Sequence, residues 1–159
     1  VPIPESPVDH WRLLLNALFT PEEVLWIGET TDSGKPQHAA RFRPVQAWLA
    51  EPKAPGPLTV PASFTAGAFS RSKANVANRR FLVVESDTLT KPETLALFEW
   101  CRGFMPLRAV VDTGGKSLHG WFEFLLLTGD RFEELKIILP ELGADPALFR
   151  EAQPCRLPG

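Results

Sequence analysis

Two hydrophobic segments carry side chains that could bind a metal ion and a phosphate. The first segment, residues 81–87, reads Phe-Leu-Val-Val-Glu-Ser-Asp and ends in two carboxylates, Glu85 and Asp87. Side chains alternate faces along a β-strand, so we expect both acids on one face, about 6.6 Å apart along the backbone. Leu82 and Val84 then point towards the core. The acids could instead be a solvated strand end, with Asp87 capping the helix that follows.

The second segment, residues 108–124, places Ser117 and His119 at alternate positions of a predicted strand. A single histidine on a strand is often structural. The helix between the two segments would allow their strands to pair, however, and the serine and histidine would then face the two acids. Carboxylates that bind a divalent cation, beside polar groups that contact a phosphate, make a plausible site for phosphate chemistry.

A glycine turn leads into Ser117. Gly114 and Gly115 let the backbone approach a ligand closely, and successive N–H groups in such a turn can bind an anion. Lys116 adds a positive charge. The order Gly-Gly-Lys-Ser lacks the four-residue spacer of a Walker loop and opens a strand, not a helix. We therefore exclude a P-loop.

Residues 67–159 resemble the archaeo-eukaryotic primase superfamily, the primase-polymerases of replicons, phages and repair systems. That superfamily carries an acid-x-acid strand, then a Ser-x-His strand, then a later acid. The matching residues here are Glu85, Asp87, Ser117, His119 and Asp145. Their flanking sequences look like the primase-type catalytic domains of bacterial, phage and plasmid replication proteins. The first motif of the superfamily is usually led by Asp and here by Glu, which still supplies a carboxylate.

The resemblance implies a DNA primase/polymerase that makes or extends primers by template-directed nucleotidyl transfer. Its substrates would be NTPs or dNTPs, its partners a DNA template and primer, and its cofactors two Mg²⁺ or Mn²⁺ ions, which prefer oxygen ligands. The full-length chain could also contain a helicase domain. The implied catalytic and metal-binding residues are Glu85, Asp87 and Asp145. The implied nucleotide-binding residues are Lys116, Ser117, His119 and Arg156.

The third acid has two other interpretations. Asp145 precedes Pro146 and could be a plain helix cap. Asp112, on the strand before the glycine turn, is a competing candidate for the same role. The sequence leaves this choice open.

A basic segment precedes the acidic strand. Residues 70–80 contain four Lys and Arg residues and no acid, and such a local cluster can meet phosphates although the net charge of the chain is −2. We predict that Arg71, Lys73 and Asn75 bind nucleic acid. The alternative is a solvated loop and helix. The overall charge argues against a protein that coats nucleic acid.

The element pattern predicts an α+β fold. A helix at about 9–19 begins a small α/β N-terminal lobe, residues 1–66. Residues 67–159 read as β-α-β-β-α, with helices at about 91–104 and 129–139. This pattern fits a mixed or antiparallel sheet with helices on one face and an open cleft on the other. The resemblance implies that this part is an RRM-like catalytic palm.

Length and composition are typical of a chain with a real core, at 159 residues and 44% hydrophobic. Cys101 is expected to be a core residue, and its use with Cys155 suits a reducing, cytoplasmic compartment. No apolar run approaches the ~20 residues that span a bilayer, so we expect no membrane partner. The chain lacks an initiator Met, and we expect a fragment of a longer protein.

Three other functions stay open. The same fold could be a non-catalytic nucleotide- or nucleic-acid-binding domain. The same acids could serve a metal-dependent phosphodiesterase or nuclease. The chain could also be an α+β domain with no activity.

Overall fold

The structure is a computed structural model that describes residues 7–29, 36–125 and 127–159. The helices are α1 (Pro7–Leu18), α2 (Val45–Leu49), α3 (Lys91–Cys101) and α4 (Gly129–Glu141). The strands are β1 (Val24–Gly28), β2 (Phe42–Pro44), β3 (Leu58–Thr59), β4 (Ala62–Phe64), β5 (Val76–Arg79), β6 (Phe81–Val84), β7 (Leu107–Asp112), β8 (Leu118–Glu123) and β9 (Cys155–Arg156). The sheets are antiparallel, so the predicted α+β class is confirmed. None of the helices in these ranges has the length and apolar character that crossing a bilayer requires.

Contacts divide the chain into two compact units, which are Val1–Arg79 with Pro154–Gly159, and Arg80–Gln153. The sequence predicts a division after residue 66 instead. The difference arises from strand pairing, because β5 pairs with β4 and β9 pairs with β3. Both pairings attach segments of the predicted palm to the first unit.

The first unit contains a sheet in the order β5-β4-β1-β3-β9, with β2 also paired to β1. Its core is rich in tryptophan. Trp26 is 1% exposed and packs with Val60 and Phe64 in one buried cluster, and Trp11 and Trp48 are also buried. The Trp48 indole N–H donates to the carbonyl of Leu25 at 3.1 Å, which satisfies one of these buried polar groups.

The second unit contains a three-stranded sheet in the order β6-β8-β7. Both outer strands run antiparallel to β8, so they are parallel to each other, and α3 connects them as a split β-α-β unit. Leu82 and Phe122 of the sheet, Phe98 of α3 and Leu139 of α4 belong to one buried cluster. Both helices therefore cover the same sheet face, the one that the alternation of β6 assigns to the core.

The opposite face of this sheet carries His119 and differs from the open cleft that the sequence predicts. Phe81, Val83, His119 and Trp121 are each at most 5% exposed. The prediction of an open cleft is therefore wrong for these positions. His119 lies in a buried environment, where each polar atom needs a hydrogen-bond partner.

Candidate functional site

The acidic motif lies at the end of β6. The strand ends at Val84, so Glu85 and Asp87 lie after it. The prediction that both acids share one face of this strand is therefore wrong. Glu85 is half-buried and Asp87 is exposed. The N-cap of α3 is Thr90, whose side chain accepts from the N–H of Glu93, so the alternative role of Asp87 as a helix cap is excluded. The Asp87 carboxylate makes no hydrogen bond or ion pair to any residue that the structure describes.

Glu85 and His119 are in direct contact. Val84 pairs with Gly120 in the β6–β8 register, which brings the next residue on each strand together. The Nε2 atom of His119 contacts Oε2 of Glu85. His119 is 5% exposed, and its Nδ1 atom is buried without a hydrogen-bond partner in the described part of the chain. Antiparallel pairing thus joins the first acid of one motif to the histidine of the other.

Asp145 lies beside Glu85 through its backbone. Its N–H donates to the carbonyl of Glu85 at 2.8 Å. Its side chain caps the 3₁₀ helix Pro146–Phe149, with Oδ1 accepting from the Ala147 N–H at 2.9 Å. The capping interpretation of Asp145 is correct, and the same residue also lies next to the acidic motif.

Ser86 is the residue that the sequence interpretation missed. It is 3% exposed, and its Oγ donates to the Gly143 carbonyl at 2.5 Å while accepting from the Leu89 N–H at 3.0 Å. The available signal was a serine just after a buried strand, a residue type that often closes a turn through its own hydroxyl. Its partner Gly143 is distant in sequence and could not be identified in this way.

Asp112, the competing third acid, has structural partners. The Lys91 ammonium donates to Oδ1 at 2.9 Å and to Oδ2 at 2.8 Å, and the Gly114 N–H donates to Oδ1 at 2.9 Å. The hydrogen bonds from Lys91, followed by that from Gly114, hold the pKa of the Asp112 carboxyl below its usual range. Asp112 therefore fixes the glycine turn and the start of α3.

The glycine turn between β7 and β8 presents Lys116. The backbone N–H and the hydroxyl of Thr113 both donate to the Ser117 carbonyl, at 3.3 and 2.9 Å. Gly114 has φ +78°, a conformation that favours glycine. Lys116 is exposed and Ser117 is half-buried directly before β8. The turn is closed by its own hydrogen bonds and leaves the lysine side chain in solvent.

The predicted nucleic-acid residues belong to the first unit. The Arg71 guanidinium stacks over the Trp26 ring at 4.3 Å from its centroid, and Lys73 is exposed. The Asn75 amide donates to the carbonyl and hydroxyl oxygens of Ser70, both at 3.0 Å, and so closes its loop. Arg71 and Asn75 therefore have structural contacts whether or not they also meet a ligand.

Arg156, the predicted contact to a nucleotide, also belongs to the first unit. It lies on β9, where it pairs with Leu58 of β3, and it is exposed. The structure therefore brings together Glu85, Asp145 and His119, with Asp87 two residues from Glu85. Arg156, Arg71, Lys73 and Asn75 belong to the other unit.

Carboxylate oxygens of Glu85, Asp87 and Asp145 are the donor type that Mg²⁺ and Mn²⁺ prefer, so the residues fit these ions chemically. Their side chains are not grouped around one point, since no cluster of three His, Cys, Asp or Glu in the described ranges has the geometry of a metal site. An ion bound through Oε2 of Glu85 would have to replace the contact with His119.

Comparisons with known proteins return no relative. No protein-family model matches the chain, and neither a curated protein nor a solved structure matches it.

Proposed function

We propose that this protein is a DNA primase/polymerase that makes or extends primers by metal-dependent nucleotidyl transfer. The observation that carries the proposal is the contact between Glu85 and His119. These residues belong to the two motifs of the primase resemblance, and the contact shows that the motifs meet at one place in the fold. An isolated acidic motif would be weaker support, because paired acids are common at solvated strand ends.

The topology of the second unit supports an RRM-like palm for this function. An RRM has a four-stranded sheet. The order β6-β8-β7, with α3 connecting two parallel strands and both helices on one face, agrees with three of those strands. The chain continues from α4 through Asp145 into β9, which pairs with β3 of the first unit. The proposed palm therefore has three strands in its own unit.

In the proposed reaction Glu85, Asp87 and Asp145 would hold Mg²⁺ or Mn²⁺, which when bound would supply activation of the attacking 3′-hydroxyl and charge stabilisation of the leaving pyrophosphate. Lys116 binds the triphosphate of an NTP or dNTP, and Ser117 orients it. His119 is 5% exposed, so it contributes only if its side chain becomes accessible when the nucleotide binds.

The nucleic-acid contacts in this proposal come from the basic loop of the first unit. Arg71 and Lys73 neutralise phosphates of the DNA template or primer, an interaction that weakens as salt rises. Asn75 contributes by closing the loop through Ser70, since both of its amide hydrogen bonds go to that residue.

A second function, nucleotide binding without catalysis, is favoured by the contacts that Glu85 and Asp145 already make within the protein. Glu85 contacts His119, and Asp145 accepts a hydrogen bond from the Ala147 N–H. If these contacts persist when nucleotide binds, Asp87 remains as the exposed acid and the set of metal ligands is incomplete. This alternative requires nucleotide binding with no bond formation.

Extension of a labelled primer on a DNA template, with NTPs or dNTPs and Mn²⁺, tests the proposal. We expect the wild type to extend the primer and Asp87→Asn to fail. Asp130→Asn is the matched control, because Asp130 is an exposed acid at the start of α4. It should extend the primer like the wild type.

Three results would decide against synthesis. Wild type that binds nucleotide, loses this binding in His119→Ala and never extends a primer would support the binding domain. Hydrolysis of the DNA or nucleotide in place of extension would indicate a phosphodiesterase. Identical behaviour of wild type and Asp87→Asn in every assay would remove the assigned site.

A further inference from the structure

Phe69 is an exposed aromatic residue in the basic loop, residues 65–75, which connects β4 to β5 of the first unit. It is 51% exposed. A single exposed apolar residue is common on protein surfaces and indicates nothing by itself. The exposure of Phe69 becomes informative because the backbone on both sides of it is held in place and because the surrounding segment is positively charged.

The residues that flank Phe69 are anchored on one buried cluster. Ala68 is 4% exposed and belongs to the same cluster as Trp26. The Arg71 guanidinium lies over the Trp26 ring, 4.3 Å from its centroid. One residue before Phe69 and two residues after it, the chain therefore contacts the same core. Phe69 and Ser70 form the tip between these two anchors.

Hydrogen bonds close the loop around this tip. The N–H of Thr65 donates to the Asn75 carbonyl at 2.8 Å, and the Asn75 amide donates to the carbonyl and hydroxyl oxygens of Ser70, both at 3.0 Å. The N–H of Ala68 donates to the Thr65 carbonyl at 3.1 Å. The backbone that carries Phe69 is therefore fixed, so its ring can meet a ligand with little loss of conformational entropy.

The segment around the loop is positively charged. Residues 52–79, all within the first unit, contain four Lys and Arg residues and no Asp or Glu, in a chain whose net charge is −2. Lys73, four residues after Phe69, is exposed. Aromatic side chains that stack on bases, beside cations that follow a phosphate backbone, are the combination by which proteins bind single-stranded nucleic acid.

We infer that Phe69 stacks on an unpaired base of single-stranded DNA while the basic residues of its loop meet the adjacent phosphates. This inference rests on the proposed function, which identifies the partner as the DNA template. It adds that the loop holds the template as a single strand. Every base has a flat π face, so this contact holds a template of any sequence.

Fluorescence anisotropy of a fluorescein-labelled oligothymidylate measures binding to the full chain, with an abasic strand of equal length and a hairpin duplex as comparison probes. Loss of one stacked base weakens binding by about 5–150-fold, which corresponds to about 1–3 kcal/mol. We expect a loss in this range for Phe69→Ala with oligothymidylate and no change with the abasic strand. Phe69→Trp keeps an aromatic ring and should retain the affinity, whereas Phe69→Leu keeps only apolar bulk and should lose most of it.

Two further variants separate stacking from other effects. Leu13→Ala is the matched control, because Leu13 is an apolar residue of the same unit and is 52% exposed. It should bind oligothymidylate like the wild type. Lys73→Gln should weaken binding of the oligothymidylate and the abasic strand by the same factor and reduce the salt slope by about 0.7. Urea unfolding of every variant checks its fold, and the midpoint of Phe69→Ala should equal that of the wild type because the side chain is exposed.

The outcomes separate this inference from the proposed function. Equal binding of oligothymidylate by Phe69→Ala and wild type would overturn the inference, as would an equal loss with the abasic strand or full affinity in Phe69→Leu. A wild type that binds no single strand, or binds the duplex more tightly, would overturn it as well. Self-association of the wild type that Phe69→Ala abolishes, with DNA binding unchanged, would assign Phe69 to a contact between two copies instead. Wild type that binds oligothymidylate through Phe69 but extends no primer would support the inference and reject the polymerase.

Discussion

Gly120 offers the sharpest test of the packing beneath the site. It follows His119 on the central strand β8, and a Cβ at this position would lie 2.8 Å from Cε2 of Phe122 and 2.9 Å from both Cε1 and Cζ of Phe98. These rings are at most 1% exposed and pack edge to face, with their centroids 5.7 Å apart. We therefore expect Gly120→Ala to be destabilising, although alanine adds only one methyl group.

The expected loss follows from the rigidity of the two rings. Contacts this short force at least one ring to move, and a close-packed interior has little free volume to receive it. Over-packing of a core by extra methyl groups costs about 1–3 kcal/mol. In a protein of this size each kcal/mol lowers Tm by about 2–4 °C, so we expect a decrease of about 2–12 °C.

Urea and thermal unfolding followed by circular dichroism measure this loss. Gly115→Ala is the matched control, because within the described residues no atom beyond its two chain neighbours lies within 4 Å of the added Cβ, and it should stay within about 0.5 kcal/mol of wild type. Shortening one ring should relieve the overlap, so Gly120→Ala combined with Phe98→Leu should lose less stability than the two single variants summed. A Gly120→Ala protein as stable as wild type, or strict additivity in the double variant, would refute the reasoning.

Three further predictions concern a salt bridge, a buried thiol and a loop. Lys91 lowers the pKa of Asp112, so the stability that this carboxylate contributes is present above its unfolded pKa of about 4 and is lost as the pH falls through the lower folded pKa. Below about pH 4, the urea midpoint of Asp112→Asn should therefore change less with pH than the urea midpoint of the wild type. Burial raises the pKa of the Cys101 thiol to about 12, so at about pH 8 iodoacetamide should label it only after urea unfolding, as mass spectrometry would show; rapid labelling of the native protein would contradict its burial. Asn75→Ala removes two hydrogen bonds that close its loop and should speed tryptic cleavage there by about 2–10-fold, whereas Asn78→Ala, at an exposed position of β5, should not.

Local patterns in the sequence were sufficient to predict the central elements of the second unit. The short apolar run of residues 81–84, the strand-like residues 118–123 and the capping residues before α3 reflect interactions within a few residues. The helix start at Thr90 shows the limit of this reasoning. Asp87 and Thr90 are both good capping residues, and only the reciprocal hydrogen bonds of Thr90 and Glu93 decide between them.

Long-range pairing could not be predicted from these patterns. The segment Val76–Arg79 lacks the alternation of a half-buried strand, and it becomes β5 because β4 supplies its backbone partners. β9 similarly contains two residues and is defined by its pairing with β3. These pairings assign residues 67–79 and 154–159 to the first unit, which moves four predicted binding residues out of the unit that contains the acids.

The contact between Glu85 and His119 determines which acid should be replaced first. Replacing Glu85 with Ala removes a carboxylate and also takes away the partner of His119 Nε2, a buried group whose loss of a hydrogen bond costs about 1–3 kcal/mol. A loss of activity in that variant could then reflect local refolding. Asp87 is exposed and has no such partner in the described residues. Its replacement by Asn removes one charge and leaves the buried pair intact, so a loss of Mn²⁺ binding or primer extension in Asp87→Asn can be assigned to the carboxylate itself.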